Sequence, residues 1–235
     1  MAPPLRHELK FQLNMGEYMI LSRHMDTLLT RDPNGDEFNE YRVRSLYFDT
    51  PFDDALRDKL SGQPERRKYR VRVYNGSDRL IKLECKRKIG DLTSKEALSI
   101  PRDLADQLIA RDTAGLLKTS EPLLHAMYAQ LMVHASRPVV IVDYLREAYT
   151  HPAEDIRVTF DKRLRSGMRS VELFNPAAPL LDPFPNPTVI LEVKYNRVLP
   201  GYIRKAINQI TGQRLAVSKY VLCRAFDNPS VAFSR

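Results

Sequence analysis

The chain has only two cysteines among its 235 residues and no long apolar run. Cys85 and Cys223 show neither the spacing of a metal site nor a disulfide framework, so we interpret both as small buried hydrophobic residues in a reducing compartment. No stretch approaches the roughly 18–20 apolar residues that cross a bilayer, and residues 1–6 lack the apolar core of a signal peptide. The sequence therefore predicts a cytoplasmic protein, peripheral to the inner face of the membrane only if a separate membrane-protein partner holds it there.

Several common catalytic signatures are also missing. The sequence contains no glycine-rich phosphate loop, no HExxH or GxSxG motif and no cysteine–histidine constellation. The five histidines are scattered without the spacing of metal ligands, at His7, His24, His125, His134 and His151. These absences argue against a P-loop nucleotide site, a histidine-bound metal and a serine-hydrolase triad.

The chain is instead rich in basic residues. Lysine and arginine number 37 against 29 aspartates and glutamates, for a formal net charge of +8 and a pI of about 9.5. This balance favours a polyanionic partner such as nucleic acid, an anionic membrane or a phosphate-rich small molecule. The length suits one domain, and no linker divides it, so we predict a single domain over residues 1–235 with its core at about 6–226.

One short pattern occurs three times along the chain. A glutamate precedes a lysine by two residues at Glu8/Lys10, Glu84/Lys86 and Glu192/Lys194. Each pair lies in a run that alternates polar and apolar residues, and residues i and i+2 of a strand share a face. Three strands would therefore each present a glutamate beside a lysine. The same alternation puts Arg66, Lys68, Arg70 and Arg72 on one face of another strand.

The order of the predicted elements indicates an α+β protein that is mainly β. Helical patterns at 16–30, 102–111, 121–134 and 201–211 interrupt about eight strands with few parallel crossovers, which favours a closed antiparallel β-barrel. The helices need an apolar surface to cover. If they pack on the outside of the barrel, its charged faces point inward and form a tunnel, which must hold water, ions and a polyanion because isolated buried charges are costly.

The tunnel charges point to phosphate chemistry. Ten basic residues would line it: Lys10, Lys68, Arg70, Arg72, Lys82, Lys86, Lys88, Arg146, Arg157 and Lys194. Arginine forks match phosphate oxygens, and lysine acts as a point charge. Glu8, Glu84 and Glu192 would be poor phosphate contacts but suitable ligands for Mg²⁺ or Mn²⁺, which bind carboxylates together with substrate phosphates.

Each of these patterns has a simpler interpretation when taken alone. A single Glu-x-Lys strand is more often a solvated face with a weak cross-strand pair. The run from Arg66 to Arg72 alone is more often a nucleic-acid or solvent surface. The prediction of a metal–triphosphate or metal–polyphosphate site therefore depends on the whole set.

The ordered motifs resemble a known family. They are RHELKF at 6–11, SLYFDTP at 45–51, RKYRVRVY at 67–74, LECKRK at 83–88, YLREAY at 144–149, VTFD at 158–161, LEVKY at 191–195 and SKY at 218–220. Together they resemble the catalytic domain of the vacuolar transporter chaperone (VTC) family of polyphosphate polymerases, in its stand-alone bacterial form. That family belongs to the triphosphate tunnel metalloenzymes.

The resemblance implies a Mn²⁺- or Mg²⁺-dependent enzyme that moves the γ-phosphoryl group of ATP onto inorganic polyphosphate. It implies catalytic, phosphate-binding roles for Lys10, Arg70, Arg72, Lys86, Arg157 and Lys219. Arg146 and Lys194 would be further substrate-binding residues, joined on the tunnel wall by Lys68 and Lys88. Glu192 would bind the metal, and Glu8 and Glu84 match the paired carboxylates of the wider superfamily. The expected partners are ATP and polyphosphate or triphosphate, with no nucleic acid.

The chain departs from the family pattern in two ways. Eukaryotic members carry a second lysine three positions before the one at Lys219, where this chain has Ala216, with Arg214 nearby. Their regulatory SPX domain and membrane helices have no counterpart here. The sequence thus leaves open a polymerase, a triphosphate or nucleoside-triphosphate hydrolase of the same fold, and a non-catalytic polyphosphate-binding module, and it does not define the oligomeric state.

Overall fold

The computed structural model describes residues 4–152, 155–209 and 218–227. The described strands are β1 (His7–Leu13), β2 (Thr30–Arg31), β3 (Glu40–Asp49), β4 (Glu65–Tyr74), β5 (Ser77–Ile89), β6 (Leu92–Ile100), β7 (Arg137–Thr150), β8 (Arg157–Ser166) and β9 (Val189–Tyr195). The described helices are α1 (Met15–Leu28), α2 (Asp54–Leu60), α3 (Arg102–Ala110), α4 (Pro122–Met132), α5 (Gly201–Ile207) and α6 (Lys219–Asp227), with a 3₁₀ turn at Leu116–Lys118. Ala216 and Arg214 lie outside the described residues.

All of the described strands belong to one antiparallel sheet. Its order is β1-β9-β8-β7-β3-β4-β5-β6, with β2 paired beside β7. The edge strands β1 and β6 approach each other at a single bridge, where Arg6 and Thr93 exchange two backbone hydrogen bonds of 2.9 Å. The expected mainly antiparallel sheet is confirmed, but the closed barrel is not, because no continuous ladder joins β1 to β6 in the part of the chain described.

The predicted alternation separates an apolar outer face from a charged inner face. On β4 and β5, Val71, Val73 and Leu83 are buried on the outer face against Ala105 and Leu108 of α3 and several residues of α4. Their strand neighbours on the other face are the arginines and lysines of the two runs. Apolar burial contributes about 25 cal/mol for each Å² removed from water, so packing of the helices on the outer face stabilises the sheet.

A second outer cluster is formed by α1 and α5. Leu21 and Met25 of α1 and Ile203 of α5 pack on Phe160 and Leu191 of the sheet. Helix α1 begins in a capping box in which Asn14 and Glu17 exchange side-chain-to-backbone hydrogen bonds. It ends at Leu28, earlier than predicted, because residues 30–31 pair with β7 as β2.

Helices α2 and α6 differ from the others because they pack on the inner face, where Leu56 of α2 belongs to the same apolar cluster as α6. Tyr220, Val221 and Cys223 contact the inner-facing Val142 and Tyr144 of β7. The expectation that the predicted helices lie outside applies to α1, α3, α4 and α5, whereas α6 was not predicted as a helix. Cys223 and Cys85 are both buried and free, as predicted.

Two turns set the ends of strands in the sheet. The β4–β5 turn contains two residues, because Asn75 and Gly76 both have positive φ and Tyr74 pairs directly with Ser77. Residues 168–173 form no strand, although their sequence indicates one. Met168 has a φ of 51° and follows Gly167 out of β8 into a turn, so the chain leaves the sheet there.

Candidate functional site

A cavity of about 830 Å³ lies on the inner face of the sheet. Three acidic side chains reach it, Glu8, Asp91 and Glu192. Thirteen basic side chains line it: Arg6, Lys10, Lys59, Arg66, Lys68, Arg70, Arg72, Lys86, Lys88, Lys95, Arg146, Lys194 and Lys219. The structure thus brings together nearly all of the predicted site residues, and the large excess of positive charge in a partly buried space favours a polyanionic ligand.

Three residues predicted for the tunnel site do not line this cavity: Lys82, Arg157 and Glu84. Arg157 lies on the inner face opposite Lys194, but its guanidinium pairs with Asp32 and donates to the Tyr41 hydroxyl at 2.8 Å. Glu84 is fully buried beneath the cavity wall. The alternation could not predict this, because it determines only the face of the strand from which a side chain projects and not where the end of that side chain lies.

Glu84 holds two arginines of the cavity wall. It accepts a 2.7 Å hydrogen bond from Arg70, lies 3.6 Å from Arg72 and receives a 3.0 Å bond from Lys95. Burial raises its pKa, but Arg70 and Arg72 outweigh burial, so the pKa lies far below its usual range. With both oxygens engaged, Glu84 is a positioning carboxylate rather than an available metal ligand.

Hydroxyl groups fix the same two arginines from the other side. Arg70 donates to the Tyr47 hydroxyl at 2.6 Å. Arg72 donates to Ser45 at 3.0 Å and to the Tyr144 hydroxyl at 3.3 Å. The guanidinium groups are therefore oriented before a ligand arrives, which lowers the entropic cost of binding.

Lys86 faces Glu8 across the cavity. Its Nζ donates to the two Glu8 oxygens at 2.7 and 2.6 Å. Burial nevertheless lowers the pKa of Lys86 to about 7, since the attraction of Glu8 is offset by Lys10 and Lys194. A bound polyanion would stabilise the charged form of this amine.

Other lysines of the cavity share this property. Burial lowers the pKa of Lys59 to about 8, with Arg66 and Lys10 adding repulsion. Lys68 has its pKa well below the ordinary value, through burial and then the charges of Lys10 and Lys86. Lys68 donates at 3.2 Å to Ser218 and lies 4.7 Å from the centre of the Tyr220 ring. No carboxylate partner of Lys68 occurs in the described residues, so a bound anionic ligand would stabilise the charged form of this lysine.

Glu8 and Glu192 are the carboxylates that fit a divalent cation. They lie close enough to interact, and Lys10 lies 3.3 Å from Glu8 while Lys194 lies 2.7 Å from Glu192. Burial opposes ionisation of both, but the neighbouring lysines prevail and lower both pKa values. No group of three or more potential metal-ligating side chains exists in the described ranges. Two ionised carboxylates completed by substrate phosphates match the preference of Mg²⁺ and Mn²⁺.

One buried acid was missed as a site residue. Asp161 accepts two hydrogen bonds from Arg146, at 2.7 and 2.8 Å, and lies 2.5 Å from Nζ of Lys219. Burial alone would raise the pKa of Asp161, but the charges of Arg146 and Lys219 outweigh burial. The pKa is therefore lowered and the carboxylate stays ionised. Asp161 thereby joins β7, β8 and α6 at the cavity wall. The sequence did carry a signal for it: Asp161 of VTFD lies two residues after Thr159 in β8, so the two share a face of the strand.

Lys59, Arg66 and Lys95 were also absent from the predicted site residues. Lys95 follows the alternation of β6 and could have been found from it. Lys59 reaches the cavity from α2, and a helix carries no signal for which side of a sheet it meets. Tyr144, on the same face of β7 as Arg146, lines the cavity, and Val142 on that face packs against α6.

The antiparallel sheet and its basic inner cavity define an α+β protein whose cavity is suited to a polyanion. The chain matches the VTC domain family over residues 5–226, and it belongs to that family. No curated protein matches the chain. The described residues contain no helix with the length and apolar character needed to traverse a bilayer.

The chain is also similar to several solved structures at low identity. A putative adenylyl cyclase from Hippeastrum, described as having a dominant triphosphatase activity, is 12% identical with a TM-score of 0.56, covering 96% of each chain. The PH1819 protein of Pyrococcus horikoshii is 13% identical, with a TM-score of 0.48 over 92% of this chain and 97% of that one. The Mimivirus capping enzyme triphosphatase is 16% identical, with a TM-score of 0.41 over 87% of each chain.

Proposed function

We propose that the protein transfers the γ-phosphoryl group of ATP to a growing inorganic polyphosphate chain inside the basic cavity. The observation that carries this proposal is the set of thirteen basic side chains around one 830 Å³ space. Several of its buried lysines have lowered pKa values, so a polyanion is needed to keep them charged. Membership of the VTC domain family adds support over residues 5–226.

The residues divide the work by charge and geometry. Arg70 and Arg72, held by Glu84 and by hydroxyl groups, would bind phosphate oxygens in fixed directions. Protonated Lys86 and Lys10 would neutralise charge that develops as the phosphoryl group moves. Glu8 and Glu192 would hold Mg²⁺ or Mn²⁺, which when bound supplies Lewis-acid polarisation and charge neutralisation.

The open edge of the sheet suits a long product. Only the bridge between Arg6 and Thr93 joins β1 to β6 in the described residues. A linear polyanion longer than the cavity would have a path to solvent along this edge. A closed pocket would instead limit the product to a few phosphates.

Hydrolysis of triphosphate or of a nucleoside triphosphate is the second candidate. The described triphosphatase activity of the Hippeastrum protein, which shares the fold, motivates it. The two reactions differ only in whether a phosphate chain end or water attacks the γ-phosphorus.

The test is to incubate the purified protein with ATP and Mn²⁺, and separately with Mg²⁺, and to resolve the products by gel and by release of free phosphate. Long polyphosphate that is lost in Lys86→Ala and kept in Lys118→Ala would support the polymerase, because Lys118 is exposed and far from the cavity lining. Free phosphate without polymer would favour the hydrolase. Tight polyphosphate binding without turnover would leave a binding module.

A further inference from the structure

Three arginines converge on one carboxylate on the outer face of the sheet, opposite the cavity. Asp143 of β7 is fully buried. Its Oδ2 lies 2.8 Å from Nε of Arg42 and 3.0 Å from Nε of Arg44, and its Oδ1 lies 2.8 Å from Nη2 of Arg165. We call this group the outer arginine cluster. One carboxylate cannot balance three guanidinium charges.

Nearby acids do not supply the missing charge. Asp36 and Glu40 line a concavity of about 290 Å³ together with Arg42. Glu40 is ion-paired with Lys162, and Asp36 accepts hydrogen bonds from the backbone amides of Phe38 and Glu40. Both carboxylates are therefore engaged elsewhere.

Two nitrogens of the cluster are buried and have no hydrogen-bond partner within the described residues. They are Nη2 of Arg44 and Nε of Arg165. The other terminal nitrogen of Arg44 donates to the carbonyl oxygens of Leu173 and Asn175, at 3.3 and 2.7 Å, so the side chain is fixed in place. Leaving a charged donor unsatisfied in the interior is costly, and such groups usually have a partner.

We propose that Arg42, Arg44 and Arg165 form a second anion site, which takes a tetrahedral oxyanion of the inorganic phosphate class. Asp143 accepts a hydrogen bond from one nitrogen of each guanidinium and so holds the three guanidinium groups around one carboxylate. Of their remaining nitrogens, Nη2 of Arg44 and Nε of Arg165 have no partner in the described residues, and guanidinium donors pair well with phosphate oxygens. The side chains of Arg42 and Arg165 are 31% and 38% exposed, which gives the anion a route from solvent.

The sheet separates this site from the cavity, but the two are adjacent through the chain. Arg44 precedes Ser45, and Asp143 precedes Tyr144; both of these next residues hydrogen-bond Arg72 in the cavity. The second site thus lies directly behind the cavity wall. It does not depend on which reaction the cavity performs.

The test is a titration of inorganic phosphate followed by NMR on protein labelled with ¹⁵N-arginine. The Nε–H signals of Arg42, Arg44 and Arg165 report the outer site, and those of Arg70 and Arg72 report the cavity. We expect the outer signals to shift and saturate, and to do so equally in Lys86→Ala, which weakens the cavity only. The double variant Arg42→Gln/Arg165→Gln should weaken the outer site by roughly tenfold or more, while Arg79→Gln, an exposed arginine elsewhere, should change nothing.

Two results would overturn the proposal. One is a shift of the cavity signals alone. The other is an outer response that follows the cavity signals and disappears in Lys86→Ala. The comparison of wild-type protein with Lys86→Ala stands even if the double variant does not fold.

Discussion

Lys86 on β5 and Glu8 on β1 form a two-pronged ion pair, with Nζ 2.7 and 2.6 Å from the two carboxylate oxygens. This pair spans the edge of the sheet where a single backbone bridge joins β1 to β6. The pair occupies the lysine donors that a phosphate chain would need. In the free protein Glu8 therefore occupies part of the place of the anionic ligand, and Glu8 and the ligand must compete for Lys86.

The first prediction concerns this competition. Glu8→Gln should tighten the metal-free binding of tripolyphosphate severalfold, because Lys86 and Lys10 lose an internal anion and the ligand meets no repulsion from Glu8. The same change should weaken the gain in affinity that Mn²⁺ brings, since one carboxylate ligand is gone. Calorimetry with and without Mn²⁺ measures both effects. Glu121→Gln, at an exposed helix start, is the control, and equal binding in all three proteins would contradict the competition.

The second prediction tests the cationic wall. Lys86→Ala should weaken tripolyphosphate binding by roughly 10- to 100-fold, because a hydrogen bond to a charged group contributes about 1.5–3 kcal/mol. The fold should persist, as Lys10 still lies 3.3 Å from Glu8. Fluorescence competition binding gives the affinity and circular dichroism checks the fold. Unchanged affinity in Lys86→Ala, matching the Lys118→Ala control, would remove Lys86 from the site.

The third prediction concerns pH. The pKa of Lys86 is about 7 and that of Lys59 about 8 in the free protein, and a bound polyanion raises both towards the ordinary value of about 10.4. Binding between these limits therefore takes up protons, and affinity falls as pH rises from 7 to 9. Calorimetry in two buffers of different ionisation enthalpy counts the protons. Lys86→Arg keeps its charge throughout, so its uptake should be smaller; equal uptake would show that the protons come from elsewhere.

The alternation of the sequence predicted much of this site for a simple reason. Residues i and i+2 share a face, so Arg70 and Arg72 had to lie together once β4 formed. The contact between Lys86 and Glu8 was not predicted, because it joins strands that are distant in sequence and the alternation relates only residues within one strand. The local pattern does not encode how far the sheet closes, since closure depends on strand tilt and stagger.

The misses have physical causes as well. Arg157 was placed on the correct face, but Asp32, from the loop after β2, draws its guanidinium out of the cavity lining. Helix α6 was not predicted as a helix, and its Tyr220 and Cys223 bury against inner-facing valines. Neither a loop carboxylate nor a helix partner can be read from the periodicity of the strand it meets.

The fourth prediction concerns the metal. Glu192→Gln should reduce the dependence of activity and of tripolyphosphate affinity on Mn²⁺, because Glu192 is the cavity carboxylate whose pKa is held well below its ordinary value by surrounding lysines. A titration of Mn²⁺ at fixed ligand measures this. Asp103→Asn on the first turn of α3 is the matched acid-to-amide control. A metal titration identical to that of wild type would exclude Glu192 as a ligand.

The fifth prediction concerns Asp161, which is fully buried between Arg146 and Lys219. Asp161→Asn should lower the free energy of unfolding by about 3–5 kcal/mol, because breaking a buried pair leaves its cations uncompensated. The pKa of Asp161 is lowered on folding, so its contribution is present above the unfolded pKa of about 3.9 and is lost as pH falls through the folded pKa. The destabilisation measured by urea unfolding should therefore be full at pH 7 and shrink in acid. Saturating tripolyphosphate should restore more stability to the variant than to wild type, since the ligand replaces the missing anion beside Lys219; equal ligand stabilisation of both proteins would show that this lysine does not meet the phosphate chain.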